Sequence, residues 1–173
     1  MAKILEHFSF FVNLDNLYIH SMQRIMFVCH GNICRSPMAE FILKDLVNKC
    51  GRNDEFFIAS SATSDEEIWN GIGNPIYPPA QTELKRHGIT NASHRATQLR
   101  AEMYGQFDLF VCMDNMNVRN AQRILGGDHD NKICKLMDFT SRPGNVSDPW
   151  YSGDFRTAYN DILEGCEGLL KNL

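Results

Sequence analysis

The sequence lacks the features that mark several large classes of protein. It contains no run of about 18 apolar residues, so we expect no transmembrane helix. Its first 24 residues have no basic start, continuous apolar block or small-residue cleavage site, and we therefore expect no secretion signal. With a formal net charge of -4 and no polybasic run, the chain lacks the electrostatic pattern of proteins that bind nucleic acid or a membrane surface.

Paired C-x-x-C spacing is also missing, although the chain has six cysteines. A chain of 173 residues is longer than most disulfide scaffolds, so we expect free thiols, a cytoplasmic location, and neither a metal nor a cofactor. This length suits one monomeric domain that buries about two thirds of its unfolded surface. We expect the domain at residues 25–173 and an N-terminal extension at 1–24, either poorly ordered or packed as an accessory helix.

Strand-like and helix-like segments alternate from residue 25 onwards. The predicted strands are short apolar runs of the kind that is buried on both faces of a parallel sheet: residues 25–29, 56–60, 108–113 and 132–137. The predicted helices follow them at residues 36–50, 78–88, 114–127 and 154–170. This pattern predicts one doubly wound α/β domain, with a four-stranded parallel sheet and helices on both faces. Ligands of such folds bind beyond the carboxyl ends of the strands.

One such strand end carries the stretch VCHGNICRSP, residues 28–37. Gly31 and Asn32 tolerate backbone conformations that point successive N–H groups inward, and the following helix start adds further free N–H groups. The planar fork of Arg35 can hold two oxygens of a tetrahedral anion such as phosphate. Cys29 lies at the bottom of this predicted cradle, where N–H donors and a permanent cation favour a thiolate nucleophile.

Other interpretations of this loop are weaker. A zinc site built on Cys29, His30 and Cys34 lacks a second spaced pair of ligands, and a permanent disulfide fits a reducing compartment poorly. The loop also lacks the G-x-x-x-x-G-K-[ST] pattern of nucleotide-binding P-loops. Ser36 follows the arginine directly and is placed to donate a hydrogen bond to the sulfur. Nucleophilic chemistry therefore explains the loop best.

A second candidate group occurs late in the chain, in the stretch SDPWYSGDF. Asp148 precedes a rigid proline and two aromatic residues, Trp150 and Tyr151. A carboxylic acid there can protonate a phenolate and, once ionised, can activate the water that hydrolyses a phosphocysteine. Asp-Pro is also ordinary turn chemistry, and the catalytic interpretation is the better one only together with the cysteine loop.

Together, VCHGNICRSP and DPWY resemble the low-molecular-weight protein tyrosine phosphatases, whose pattern is a C-x-x-x-x-x-R-S loop after strand one and a distant Asp-Pro followed by aromatic residues. The resemblance extends from about residue 25 to 170, through SSATS, LKRHGI and CMD..N. It implies an enzyme that hydrolyses phosphotyrosine in proteins through a phosphocysteine, without a metal. By family analogy, a bacterial tyrosine kinase is a candidate partner.

The resemblance also implies roles for single residues: Cys29 is the nucleophile, Arg35 the phosphate clamp, and Asp148 the general acid and then the base. Substrate contacts are expected from His30, Gly31, Asn32, Ile33, Cys34, Ser36, Trp69, Trp150 and Tyr151. A supporting hydrogen-bond network is expected from Asn32, Ser36, Ser60 and His87. Cys34 is expected to form a reversible disulfide with Cys29 that protects the nucleophile from irreversible oxidation.

Two of these roles have simpler alternatives. His87, which precedes Gly88 at a predicted helix end, can interact with the helix dipole instead, and Trp69 can be buried instead of lining the substrate site. Glu66 and Glu67 lie in the loop where the resemblance places specificity residues. They are expected to disfavour strongly acidic phosphopeptides.

Three alternative functions stay open. A protein-arginine phosphatase of this fold carries threonine at the place of Ile33, whose apolar side chain suits an aromatic ring. A thiol-dependent arsenate reductase needs two shuttling cysteines on a mobile late segment, whereas Cys112 and Cys134 lie in predicted strands and are more simply core residues. A non-catalytic phosphotyrosine-binding module would need neither Cys29 nor Asp148.

Overall fold

The computed structural model describes residues 22–173. Most of the predicted N-terminal extension therefore lies outside the described residues. The first strand begins at Gln23, two residues before its predicted start, because Gln23 and Arg24 continue the pairing with the neighbouring strand at Phe56 and Phe57. Within residues 22–173, no helix is both long enough and apolar enough to cross a membrane.

Residues 22–173 form six strands and five α-helices. The strands are β1 (Gln23–Cys29), β2 (Phe56–Ala62), β3 (Ile68–Trp69), β4 (Ile72–Gly73), β5 (Leu109–Cys112) and β6 (Ile133–Lys135). The helices are α1 (Arg35–Lys49), α2 (Pro78–Arg86), α3 (Asn115–Leu125), α4 (Pro149–Ser152) and α5 (Phe155–Lys171).

Four of the strands form the predicted parallel sheet, in the order β2-β1-β5-β6. Side chains of β1 alternate between two apolar cores: Ile25 and Phe27 pack against residues of α1, α2 and α5, while Met26 and Val28 pack against residues of α3. Because helices cover both faces, every side chain of the strand's inner part is buried. The doubly wound α/β fold predicted from the continuous apolar runs is confirmed.

The sheet order places a crevice at the carboxyl end of β1. The chain proceeds from β1 to β2 on one side and returns to β5 on the other, so the loops that follow β1 and β5 diverge between these two strands. Cys29 ends β1, and Asp114 follows β5 as the N-terminal cap of α3. The topology thus brings two distant parts of the chain to one edge.

The loop after β2 contains a hairpin that the sequence analysis missed. Strands β3 and β4 pair in antiparallel fashion, and the turn between them consists of Asn70 and Gly71 at φ angles of 50° and 77°. An Asn-Gly pair with two positive φ angles is typical of a type I′ hairpin turn. Gly73 lets this hairpin lie against the backbone of Ala96, because a Cβ at position 73 would lie 1.9 Å from the Ala96 oxygen.

Candidate active site

The loop after β1 wraps around the sulfur of Cys29, which is almost completely buried. Asn32 has a φ angle of 55°, a left-handed conformation that directs its N–H group to the sulfur at 3.3 Å. The hydroxyl of Ser36, at the start of α1, lies 3.0 Å from the same sulfur. One N–H group and one hydroxyl of residues 29–36 therefore lie against the sulfur of Cys29.

The side chain of Asn32 holds this loop in place through four hydrogen bonds. Its Nδ2 group donates to the hydroxyls of Ser36 at 2.8 Å and Ser60 at 2.9 Å. Its Oδ1 atom accepts from the backbone N–H of Thr97 and from Nε2 of His94, both at 2.9 Å. The Thr97 N–H is a donor only, which fixes the orientation of the amide. All four hydrogen-bonding positions of the amide are thus occupied.

This network also involves the hydroxyl group beside Cys29. Ser36 Oγ accepts a hydrogen from Asn32 and keeps its own hydrogen, which it can donate to an ionised sulfur of Cys29. Ser60 likewise accepts from Asn32 and donates to a carboxylate oxygen of Glu40 at 2.6 Å. An ionised sulfur at this position receives hydrogen bonds from one N–H and one O–H group, and such donors stabilise a thiolate.

The prediction that His87 belongs to this network is wrong. His87 lies 3.3 Å from the carboxylate of Glu83 and stacks on the ring of Tyr159, with ring centroids 3.7 Å apart. Helix α2 ends at Arg86, and His87 directly after it packs against Tyr159 of α5. His94 occupies the network position instead. No local pattern marks His94 in the sequence, since it lies in a non-periodic loop and meets Asn32 only through the tertiary fold.

Arg35 is buried behind the loop and forms ion pairs with two carboxylates. Its two terminal nitrogens lie 2.7 Å from Asp114 and 2.8 Å from Asp148. Burial alone would lower the pKa of Arg35, but the charge of Cys29 and the hydrogen bond to Asp114 raise it, so the guanidinium keeps its charge. Sequence analysis did not identify Asp114 as a site residue, although it lies at the start of a predicted helix. It caps Asn117 N–H with one oxygen, at 2.7 Å, and holds Arg35 with the other.

Asp148 approaches the site from the far end of the chain. It is the N-terminal cap of the one-turn helix α4, and one of its carboxylate oxygens accepts the N–H of Trp150 at 3.0 Å. Its other oxygen is the one that contacts Arg35. The predicted nucleophile, clamp and acid are therefore adjacent.

The predicted substrate contacts converge on one pocket of about 190 Å³. Residues 29–35 line it together with Glu66, Glu67, Asp148, Trp150 and Tyr151. Two of the predicted contact residues do not line this pocket. Trp69 is one of them: the hairpin places it outward, where its side chain is 71% exposed. The alternative of a buried Trp69 is therefore also wrong. Ser36 is fully buried and contacts two lining residues, Cys29 and Asn32, without lining the pocket itself.

An aromatic residue that sequence analysis missed supports the wall of the pocket. Tyr77 lies 5.4 Å from Trp150 between ring centroids, and its backbone N–H donates to the carbonyl of Ile33 at 2.8 Å. Trp150 is thereby braced on its far side, whereas Tyr151 is 88% exposed. The mouth of the pocket thus combines the apolar side chain of Ile33 with aromatic rings.

The second cysteine of the loop differs chemically from the first. Burial, together with the negative charge of Cys29, raises the pKa of Cys34 to about 12. Cys34 therefore stays a neutral thiol while Cys29 receives two hydrogen bonds. The two remaining sheet cysteines fit a core role, since Cys112 is buried in β5 and Cys134 lies in β6.

Comparison with known proteins gives a consistent result. Residues 24–173 match the sequence model of the family described as low molecular weight phosphotyrosine protein phosphatase. The Bacillus subtilis low molecular weight protein-tyrosine-phosphatase YfkJ is 35% identical over 154 residues, covering 88% of this chain and 96% of the relative. The human low molecular weight phosphotyrosine protein phosphatase is 36% identical over 155 residues, covering 85% and 93%.

Solved structures show the same likeness. The crystal structure of YfkJ superimposes with a TM-score of 0.78 at 34% identity, covering 88% of this chain and 94% of that one. The Streptococcus pyogenes phosphatase SP-PTP gives 0.74 at 38% identity, covering 88% and 93%. Vibrio vulnificus Wzb, solved in complex with benzylphosphonate, gives 0.74 at 26% identity, covering 88% and 100%.

Proposed function

This chain belongs to the low molecular weight phosphotyrosine protein phosphatase family, and we propose that its Cys29, Arg35 and Asp148 hydrolyse phosphotyrosine through a phosphocysteine intermediate. The observation that carries this assignment is the 2.8 Å contact between Arg35 and Asp148, which joins the nucleophile's loop to a carboxylate from the other end of the chain. A distant carboxylate in this position is what a thiolate attack on phosphorus requires.

In the first step, the sulfur of Cys29 attacks phosphorus in line as the bond from phosphorus to the tyrosyl oxygen breaks. Protonated Asp148 gives its proton to that oxygen, so tyrosine leaves as a neutral phenol. The guanidinium of Arg35 and the loop N–H groups hold the three equatorial oxygens. Asp114 holds Arg35 and the side chain of Asn32 holds the loop, so these donors are in place in the bound complex when the charge develops.

In the second step, the Asp148 carboxylate removes a proton from water as the water oxygen attacks phosphorus. The bond between sulfur and phosphorus breaks, and the electron pair returns to Cys29 as a thiolate. The hydrogen bonds from Ser36 and from the N–H of Asn32 stabilise this leaving group. Inorganic phosphate then leaves and the enzyme is regenerated.

The shape of the pocket supports an aromatic substrate. The buried sulfur lies at the base, and Ile33, Trp150 and Tyr151 line the way to it, so an aryl phosphate can place its ring between apolar groups. The phosphorylated guanidino group of phosphoarginine would find no side-chain hydroxyl at position 33. The position of Cys112 within the sheet gives no support to an arsenate reductase with a mobile pair of shuttling cysteines.

The cellular setting is part of the same proposal. The six cysteines are all unpaired, which fits a reducing, cytoplasmic compartment. We propose residues 25–173 as the catalytic domain, active as a monomer. A bacterial tyrosine kinase as the source of the substrate is supported only by the bacterial origin of several relatives.

A panel of phosphopeptides tests the proposed function. We expect rapid phosphate release from phosphotyrosine peptides, little from phosphoserine or phosphoarginine peptides, and none from any of them with Cys29→Ser. Binding of p-nitrophenyl phosphate without release of nitrophenol would instead identify a binding module. Preferential turnover of phosphoarginine, or arsenite production with thioredoxin, would identify one of the related enzymes.

A further inference from the structure

The segment that carries Asp148 is hydrogen-bonded to the end of a strand and to a helix. The N–H of Val146 donates to the carbonyl of Met113 at 2.8 Å, which ties the segment to the end of β5. Ser147, the residue directly before Asp148, donates both its N–H and its hydroxyl to one oxygen of Asp161, at 2.9 Å and 2.7 Å. Asp161 belongs to α5, so it links this segment to the longest helix of the fold.

Both oxygens of the Asp161 carboxylate accept hydrogen bonds. Its second oxygen accepts from Arg142 at 2.8 Å, and Arg142 also contacts Glu164, one turn further along α5. Asp161 is only 4% exposed. Burial alone would raise the pKa of Asp161, but the hydrogen bonds from Ser147 and Arg142 lower it, so the carboxylate stays ionised at neutral pH.

We propose that Asp161 is a positioning residue for the general acid, fixing the backbone at Ser147 so that the carboxyl group of Asp148 meets the leaving oxygen. This inference rests on the proposed role of Asp148. The backbone is fixed on the other side as well, because Pro149 restricts its own φ angle and accepts the Gly153 N–H at 2.9 Å. The backbone is therefore held both at Ser147, before Asp148, and at Pro149, after it.

The chemistry of the anchor indicates a role in placement. A buried carboxylate costs desolvation energy, and a well-packed apolar group would stabilise the fold equally well at such a position. The carboxylate instead fixes the position of the backbone, since one of its oxygens accepts both hydrogen bonds of Ser147, the residue that precedes Asp148. A displacement of about 1 Å in a reacting group can cost about 10²-fold in rate.

The leaving-group dependence of kcat/KM separates placement of the acid from general stability. This constant reports the first chemical step, in which Asp148 protonates the leaving oxygen. Phosphates of weakly acidic phenols depend on that proton, whereas p-nitrophenyl phosphate depends on it much less. A misplaced acid therefore makes the plot of log kcat/KM against leaving-group pKa steeper, and simple loss of folded enzyme lowers all points equally.

The experiment compares Asp161→Asn with two reference variants over a series of aryl phosphates. Asparagine replaces one of the two accepting oxygens with an NH2 donor, so Ser147 and Arg142 can no longer both be held. In Asp161→Asn, we therefore expect kcat/KM to fall about tenfold or more for phenyl phosphate and less than about threefold for p-nitrophenyl phosphate. Glu164→Gln is the matched control, because Glu164 contacts Arg142 from the same helix but makes no hydrogen bond to Ser147. Its slope is expected to match that of the wild type.

Asp148→Asn sets the upper limit of the effect and tests the premise separately. A steeper slope in Asp148→Asn with a wild-type slope in Asp161→Asn overturns the positioning role alone. A wild-type slope in Asp148→Asn overturns the acid role and this inference with it. If Asp161→Asn does not fold, Ser147→Ala decides, because it removes only the hydroxyl hydrogen bond. A smaller steepening supports the inference, and an unchanged slope overturns it.

Discussion

The guanidinium of Arg35 lies 2.8 Å from the carboxylate of Asp148. The phosphate clamp of the proposed mechanism is therefore paired with the proposed acid in this structure. A substrate dianion needs the same guanidinium, and its negative charge repels an ionised Asp148. Substrate binding is thus expected to separate the pair and to release Asp148 from Arg35, so that its carboxyl group can face the leaving oxygen.

Asp148→Asn is expected to affect catalysis and phosphate binding in opposite directions. Loss of the proton donor should lower kcat/KM for a phosphotyrosine peptide by about 10² to 10⁴, the usual range for general acid–base catalysis. Loss of a negative charge beside Arg35 should strengthen inhibition by inorganic phosphate. Steady-state kinetics with phosphate as the competitive inhibitor measures both. An unchanged kcat/KM would remove Asp148 from the mechanism.

Asp114→Asn tests the second carboxylate that holds Arg35. Asparagine keeps an oxygen that can cap Asn117, but it removes the charge beside the guanidinium, so we expect about tenfold weaker activity with little change in Tm. Asp154→Asn is the matched control, since Asp154 caps α5 in the same way, through Thr157, without contact to Arg35. Equal activities of the two variants would show that Asp114 acts only as a cap.

Two substitutions of Asn32 distinguish its hydrogen bonds from its backbone conformation. Asn32→Gly and Asn32→Ala both remove the four side-chain hydrogen bonds, but only alanine strains the left-handed φ angle of 55°. The alanine variant is expected to be less stable than the glycine variant by about 1 kcal/mol in urea unfolding. Both should lose about tenfold or more in kcat, because Ser36 is no longer oriented towards the sulfur. Full activity of Asn32→Gly would contradict this.

The buried carboxylate of Asp161 predicts a specific acid sensitivity. Its pKa is lower in the folded protein than its ordinary value of 3.8, because the donors Ser147 and Arg142 outweigh the effect of burial. A lowered pKa stabilises the fold above pH 3.8, and this contribution is lost as the pH falls below that value towards the folded-state pKa. Glu164 shares Arg142 and is the other acidic group that faces this anchor.

Unfolding free energy measured by urea denaturation from pH 6 to pH 3 checks this. We expect the wild type to lose stability more steeply below about pH 4 than Asp161→Asn, which has no carboxylate to protonate at this position. Parallel curves for the two proteins would show that the hydrogen bonds at Asp161 do not depend on its charge.

Much of this molecule could be predicted because its signals are local. The apolar runs that become β1 and β5 are continuous, since helices cover both faces of the sheet. The phosphate loop could be predicted because Cys29, Gly31 and Arg35 lie within seven residues and belong to one strand–loop–helix unit. The hairpin could have been found, as Asn70-Gly71 is a strong turn signal.

The residues that were missed or misplaced act through long-range contacts. His94 lies 62 positions from Asn32 in the sequence, and Asp114 lies 79 positions from Arg35. The resemblance implied His87, whereas the fold places His94 beside Asn32 and stacks His87 on Tyr159. The pairing of β1 with β5 brings Asp114 to Arg35, and the tertiary fold brings the segment after α2 that carries His94 to Asn32.

The central claim, that Cys29 carries the phosphoryl group, is tested most directly by rapid acid quenching of Asp148→Asn during turnover of p-nitrophenyl phosphate. This substrate needs little help from an acid, whereas hydrolysis of the intermediate needs the missing base, so the intermediate should accumulate. We predict a burst of nitrophenol close to one equivalent, with the mass of one phosphoryl group on the peptide that contains Cys29 and none with Cys29→Ser. Steady nitrophenol release without a burst and without phosphoryl label on Cys29 would contradict the account.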